Sequence, residues 1–312
     1  MKSERLSVAS DCASGPGTSD VDGQSVSHTG YPLAHAGFKL LFASLVILCA
    51  RTADAAESGV AVADPQPAAV SNEIPVEVRN GPKYPGIRRK EVNFRDPRRE
   101  YTPVPAAGWT IQVETQALSE EPEIAGKAVA RLGKMLNEAL AVLPEASRAR
   151  LKKLPVFLMY GPKAKGGGRD NGCEYFQQRA PDCDHTIDPR WGNSIVVYSA
   201  ANYEWQSELW ALKLPLHELA HAYHLAQWPE DRVEIVRAYE NAVNLKLYRH
   251  VRNDQGKTID KAYALENPIE YFAELSCMFF ARCDYEPGGR KELQAYDPEG
   301  YAMIRELWGI KE

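Results

Sequence analysis

The segment LPLHELAHAYH, Leu214 to His224, sets two histidines four residues apart around a glutamate: His217, Glu218 and His221. On a helix a four-residue step is one turn with about 40° of rotation, so both imidazoles reach one point beside the helix. Imidazole nitrogen is a good zinc ligand, and Glu218, about 100° round from His217, brings its carboxylate next to that point instead of onto it. A carboxylate so placed can take a proton from water, which makes metal-assisted hydrolysis the chemistry of the pattern. The pattern fixes only three positions, and paired core histidines satisfy it as well. The context favours a metal. Leu216, Leu219, Ala220, Tyr223 and Ala226 form an apolar stripe that buries the helix, and His217, His221 and His224 fall together on one stretch of it.

Zinc bound by two histidines needs a third ligand. His224 lies seven residues beyond His217, and on a continuous helix that is about 10.5 Å along the axis, too far for the two to share one ion. No glycine breaks the helix before His224, and Pro229 ends it only afterwards, which assigns His224 a supporting or structural role. The better candidate lies in YALENPIEYFAEL, Tyr263 to Leu275, where Asn267 can cap a helix whose first residue is Pro268. Glu270 is then the third helical residue, a position that a capping box alone would explain. Glu274 follows one turn later on the same face.

From His217 to Phe279 the chain resembles the catalytic domain of anthrax lethal factor and its relatives. The resemblance rests on HELAH and, after a helical spacer, on Tyr263 followed by the EYFAE segment that Glu270 opens. It implies a zincin-like α+β fold, with a small mixed sheet packed on the HELAH helix and on a glutamate-bearing helix. It implies one Zn2+ per chain held by His217, His221 and Glu270, with Glu218 as general base, Tyr263 at the metal and Glu274 supporting the site from behind. The expected substrate is a peptide or protein. The spacer differs in length, Ala220 stands where lethal factor has glycine, and no translocation or docking domain fits in 312 residues, so the toxin's biology does not transfer. An inactive zinc-binding domain and a zinc hydrolase of non-peptide amides are the alternatives. The first is disfavoured because structural zinc sites are closed by four protein ligands.

The elements that must position these residues are partly legible. WTIQVE at Trp109 to Glu114, LPVFLMY at Leu154 to Tyr160 and SIVVYS at Ser194 to Ser199 read as strands, the last as a strand able to pair with an extended substrate. A helix is expected from Glu121 to Leu143, where Ile124, Val129, Leu132, Leu136, Leu140 and Leu143 recur at helical spacing. Further helices are expected at Leu214 to Trp228, Asp231 to Arg249, Pro268 to Ala281 and Pro298 to Trp308, with a long loop between Tyr160 and Ser194. Three segments follow: an N-terminal extension with a signal peptide at 1–56, a proline-studded linker or arm at 57–108, and the catalytic domain at 109–312.

The signal reading rests on Lys39, the apolar run LLFASLVILCA at Leu40 to Ala50 and the small-residue pattern Ala53-Asp54-Ala55. That run is too short to span a bilayer, which needs roughly 20 residues, so an exported protein (secreted, periplasmic or cell-surface) without a membrane span is expected. Export would leave Cys173, Cys183, Cys277 and Cys283 in an oxidising compartment, a set compatible with two local disulfides. A net charge of -5 with no concentrated basic patch excludes a nucleic-acid partner.

Overall fold

The computed structural model describes residues 92–178 and 184–311, so the expected signal segment lies outside the described residues. These form a mixed α+β fold. In chain order the elements are β1 (Tyr101–Ala106), β2 (Trp109–Glu114), α1 (Thr115–Glu120), α2 (Pro122–Val142), α3 (Glu145–Leu151), β3 (Val156–Leu158), β4 (Cys173–Phe176) and β5 (Ser194–Val197). Then come α4 (Ala200–Trp205), α5 (Glu208–Leu225), α6 (Val233–Asn244), β6 (Arg249–Arg252), β7 (Thr258–Lys261), α7 (Pro268–Phe280), α8 (Arg290–Tyr296) and α9 (Pro298–Leu307). None of the described helices is long and apolar enough to cross a membrane.

The main sheet runs β1-β2-β3-β5-β4, with β2, β3 and β5 parallel and β1 and β4 antiparallel at the edges. Its central strands are continuously apolar because both faces are covered. Val156, Leu158, Ile195 and Val197 enter the main core with α2, α5 and α7, while the alternate residues Phe157, Met159, Val196 and Tyr198 pack on Val92, Phe94 and Trp191. That second layer shows that folded structure starts ahead of Trp109, within the stretch expected to be linker. Sequence periodicity missed β1 because YTPVPA carries two prolines. Pro103 and Pro105 are two apart, so both missing N–H groups lie on the same side of an edge strand, where no ladder needs them. Ala107 and Gly108, with φ of 48° and 78°, close a two-residue hairpin onto β2.

The expected long loop contains β4, and this strand, not β5, forms the edge on that side of the sheet among the described residues. Flanked by β3 and β4, the segment Ser194 to Val197 has no free edge for a substrate, which corrects the expectation drawn from its sequence. The helix expected from Asp231 to Arg249 ends at Asn244, because the chain turns through positive φ at Lys246 and Tyr248 into the β6–β7 hairpin.

Candidate metal centre

Helix α5 begins at Ser207, whose side chain caps Trp210 N, well before the histidine motif. Pro215 interrupts its ladder two residues ahead of His217: with no N–H to give, it leaves the Ala211 carbonyl without its usual donor. The Tyr203 hydroxyl on α4 donates to that carbonyl at 2.7 Å, so the fault is repaired from outside the helix. Helix α7 starts at Asn267, whose side chain accepts from Glu270 N at 2.9 Å, with Pro268 first in the helix. This cap uses the Glu270 backbone and leaves its carboxylate free for other work.

The two helices pack side by side, and their polar pairs step in opposite directions along the chain. His221 meets Glu270, His217 meets both Glu270 and Glu274, and Lys213 meets Glu274. His217 Nε2 lies 2.9 Å from His221 Nε2 and 2.9 Å from Glu270 Oε2, and His221 Nε2 lies 3.2 Å from the same oxygen. Ligands on one tetrahedral ion at bonds of about 2.0–2.1 Å would stand about 3.3 Å apart, close to this triangle. His217, His221 and Glu270 are thus a group that can hold a metal ion.

The protons demand a cation there as well. His217 Nδ1 donates to Glu274 Oε1 at 2.9 Å, which leaves Nε2 of the neutral ring as an acceptor. It faces a carboxylate oxygen that is also an acceptor. A proton on His221 Nε2 cannot relieve the contact between these two, so only a second proton or a metal ion between them can. Without metal, the proton goes to His217: burial opposes the charged ring, but contacts with Cys277, Glu270 and Glu274 outweigh it and hold its pKa well above the usual value. Burial would raise Glu270 too, yet hydrogen bonds with His217 and His221 keep it well below the usual carboxylate range.

Around the triangle, Glu218 is 4 % exposed and accepts from Tyr175 N of the edge strand β4 at 2.7 Å. Burial raises its pKa, the direction a general base needs. Tyr263 sits in a short 3₁₀ turn between β7 and α7, its ring 5.9 Å from the His217 ring and its hydroxyl near enough to Glu270 to feel that charge. At 51 % exposure it is no core tyrosine. Glu274, fully enclosed, accepts from His217 through Oε1, while Oε2 takes Lys213 Nζ at 2.9 Å, Tyr285 Oη at 2.5 Å and Cys283 Sγ at 3.3 Å.

The structure therefore brings together His217, Glu218, His221, Tyr263, Glu270 and Glu274. It separates His224, which is completely buried against Phe272 and Trp228 and bonded to the Pro229 carbonyl at 3.2 Å, so its role is packing of the helix end. Cys277 and Cys283 are free thiols, not a disulfide: Cys277 lies inside α7 and contacts the Lys213 carbonyl, and Cys283 turns to Glu274. Cys183 lies outside the described residues. Lys213, Asp284 and Tyr285 went unnoticed in the sequence. The available signal was a lysine exactly one helical turn before His217 in an otherwise apolar stretch. Comparisons with protein-family models, characterised proteins and solved structures found no match to this chain.

Proposed function

We propose that this chain is an exported zinc-dependent metallopeptidase, with zinc held by His217, His221 and Glu270. The observation that carries the proposal is the triangle of His217 Nε2, His221 Nε2 and Glu270 Oε2, with sides of 2.9 to 3.2 Å, beside a buried carboxylate that binds no cation of its own. Zinc bound there would act as a Lewis acid and lower the pKa of a bound water to about 7. Glu218, whose burial favours taking up a proton, accepts one from the attacking water and passes it to the leaving amine. The Tyr263 hydroxyl, half-exposed at the mouth of the site, donates to the oxyanion that develops on the carbonyl. An extended peptide pairs with β4, an edge of the main sheet among the described residues that packs against α5. Among the described residues three protein side chains converge, a number that would suit the open position that catalytic zinc sites keep and structural sites lack.

The test compares wild type with Glu218→Gln in metal analysis and in digestion of a mixed peptide library. Wild type is expected to bind one zinc and cleave peptides. The variant should keep the zinc and lose nearly all cleavage, because an amide cannot serve as the base. An active variant, or a wild type that binds no zinc, overturns the proposal.

A further inference from the structure

Lys213 is 5 % exposed, on the same stripe of α5 as the two histidines and one turn ahead of His217. Its ammonium bonds Glu274 Oε2 at 2.9 Å and Asp284 Oδ1, and lies near the Trp210 and Tyr285 rings. Burying a lysine is costly unless charge partners surround it, and here two carboxylates do so. Glu274, Cys283 and Asp284 bring three metal-capable atoms within 4.8 Å of one another, yet they do not form a second metal site. Cys283 Sγ and Lys213 Nζ bond the same two carboxylate oxygens, so the cation this cluster calls for is already present as lysine.

Glu274 divides its work between its oxygens. Oε1 holds His217 Nδ1–H and so fixes the ring's tautomer and orientation, while Oε2 is held by Lys213, Tyr285 and Cys283. Without the ammonium, Glu274 Oε2 would lose the charged donor that ties it to Asp284, and the two neighbouring carboxylates would be free to move apart. A displaced Glu274 no longer orients His217 or strengthens its Nε2 as a ligand.

We infer that Lys213 is a positioning residue for the metal centre: by bonding Glu274 Oε2 and Asp284 together it holds Glu274 with Oε1 aimed at His217 Nδ1, and so sets zinc affinity from two bonds away. This inference rests on the zinc reading of the His217–His221–Glu270 site. It goes beyond that reading because the Lys213 ammonium bonds Glu274 and Asp284, neither of which is among the three ligands.

The experiment measures zinc dissociation constants of the full chain by competition with a chromophoric chelator, beside thermal melts of the zinc-free protein. Wild type is measured first, since a wild type that binds no zinc defeats the metal reading itself. If wild type binds, Lys213→Met is expected to weaken zinc about 10–100-fold, the range for outer-shell support of a metal site. Adding Asp284→Asn removes the surplus anion and should recover part of that loss while leaving affinity several-fold below wild type. The double variant keeps the net charge of the wild-type cluster, so it carries the test if Lys213→Met fails to fold. A merely structural lysine would lower the melting temperature and leave zinc affinity within twofold of wild type in the folded variant. That result overturns the inference and leaves the zinc reading standing.

Discussion

Replacing Tyr263 with phenylalanine removes one oxygen and separates chemistry from support. The hydroxyl lies near the Glu270 charge, but the ring is 51 % exposed, so little packing or hydrogen bonding depends on it. A half-exposed hydroxyl of this kind contributes at most about 1 kcal/mol to stability. If the hydroxyl turns to the oxyanion when substrate binds, its contribution appears only in the transition state, and losing one such donor lowers kcat by about 10²–10³, or about 2.7–4 kcal/mol. The expected result is therefore a large fall in kcat, little change in KM, unchanged zinc content and a melting temperature shifted by only a few degrees. Burial and the nearby Glu270 charge push the Tyr263 pKa up to about 12, so the hydroxyl remains a donor throughout pH 6–9. The ratio of wild-type to variant kcat should accordingly stay flat across that range. Steady-state kinetics on a peptide from the library digest, at several pH values and beside metal analysis and melts, gives all four quantities. A stable, zinc-loaded variant with wild-type kcat would refute the oxyanion role and weaken the resemblance to lethal factor that first singled the residue out.

Glu270→Ala keeps the helix cap, which Asn267 makes to the backbone N–H, so its effect should fall on zinc affinity, exceeding the roughly 10–100-fold loss typical of outer-shell changes. Zinc bound as tightly as in wild type would place the third ligand elsewhere. Burial lowers the His224 pKa from 6.5 to about 4, so between those values the unfolded chain takes up a proton that the folded one refuses. Stability of the zinc-free protein should then be unaffected by this group above pH 6.5 and fall by about 3 kcal/mol as the pH drops to 4; denaturant titrations of His224→Leu should show a shallower decline than wild type. Tyr203→Phe strands the Ala211 carbonyl opposite Pro215 and is expected to lower stability by about 1–3 kcal/mol, measured by denaturant unfolding, with zinc stoichiometry unchanged.

What could be read from the sequence was whatever is local along one helix. His217 and His221 share a face of α5 because of their spacing alone, and Asn267-Pro268 announces the start of α7, which fixes where Glu270 and Glu274 point. What could not be read depends on meetings between distant segments. Lys213 finds Glu274 and Asp284 sixty or more residues away, and its sequence neighbours carry no sign of that pairing. Strand β4 is four residues of mixed polarity, CEYF, stabilised by its ladder to β5 and not by its own periodicity. Continuous apolarity in the segments Leu154 to Tyr160 and Ser194 to Ser199 announced buried strands, but only the fold shows that the Val92–Phe94 segment covers their second face.

The two histidines are not held alike. His217 is gripped through Nδ1 by Glu274, whereas His221 Nδ1 is buried with no hydrogen-bond partner, so that ring is steered by its packing and by whatever its Nε2 meets. An imidazole fixed on one side only swings about its side-chain torsions more readily than one pinned at both nitrogens. Were an ion held there, His221 would be the ligand whose orientation depends most on it, while His217 would keep its place through Glu274. The asymmetry lies behind the ligand atoms, in what supports each ring, and it makes one imidazole a fixed post and the other an adjustable one.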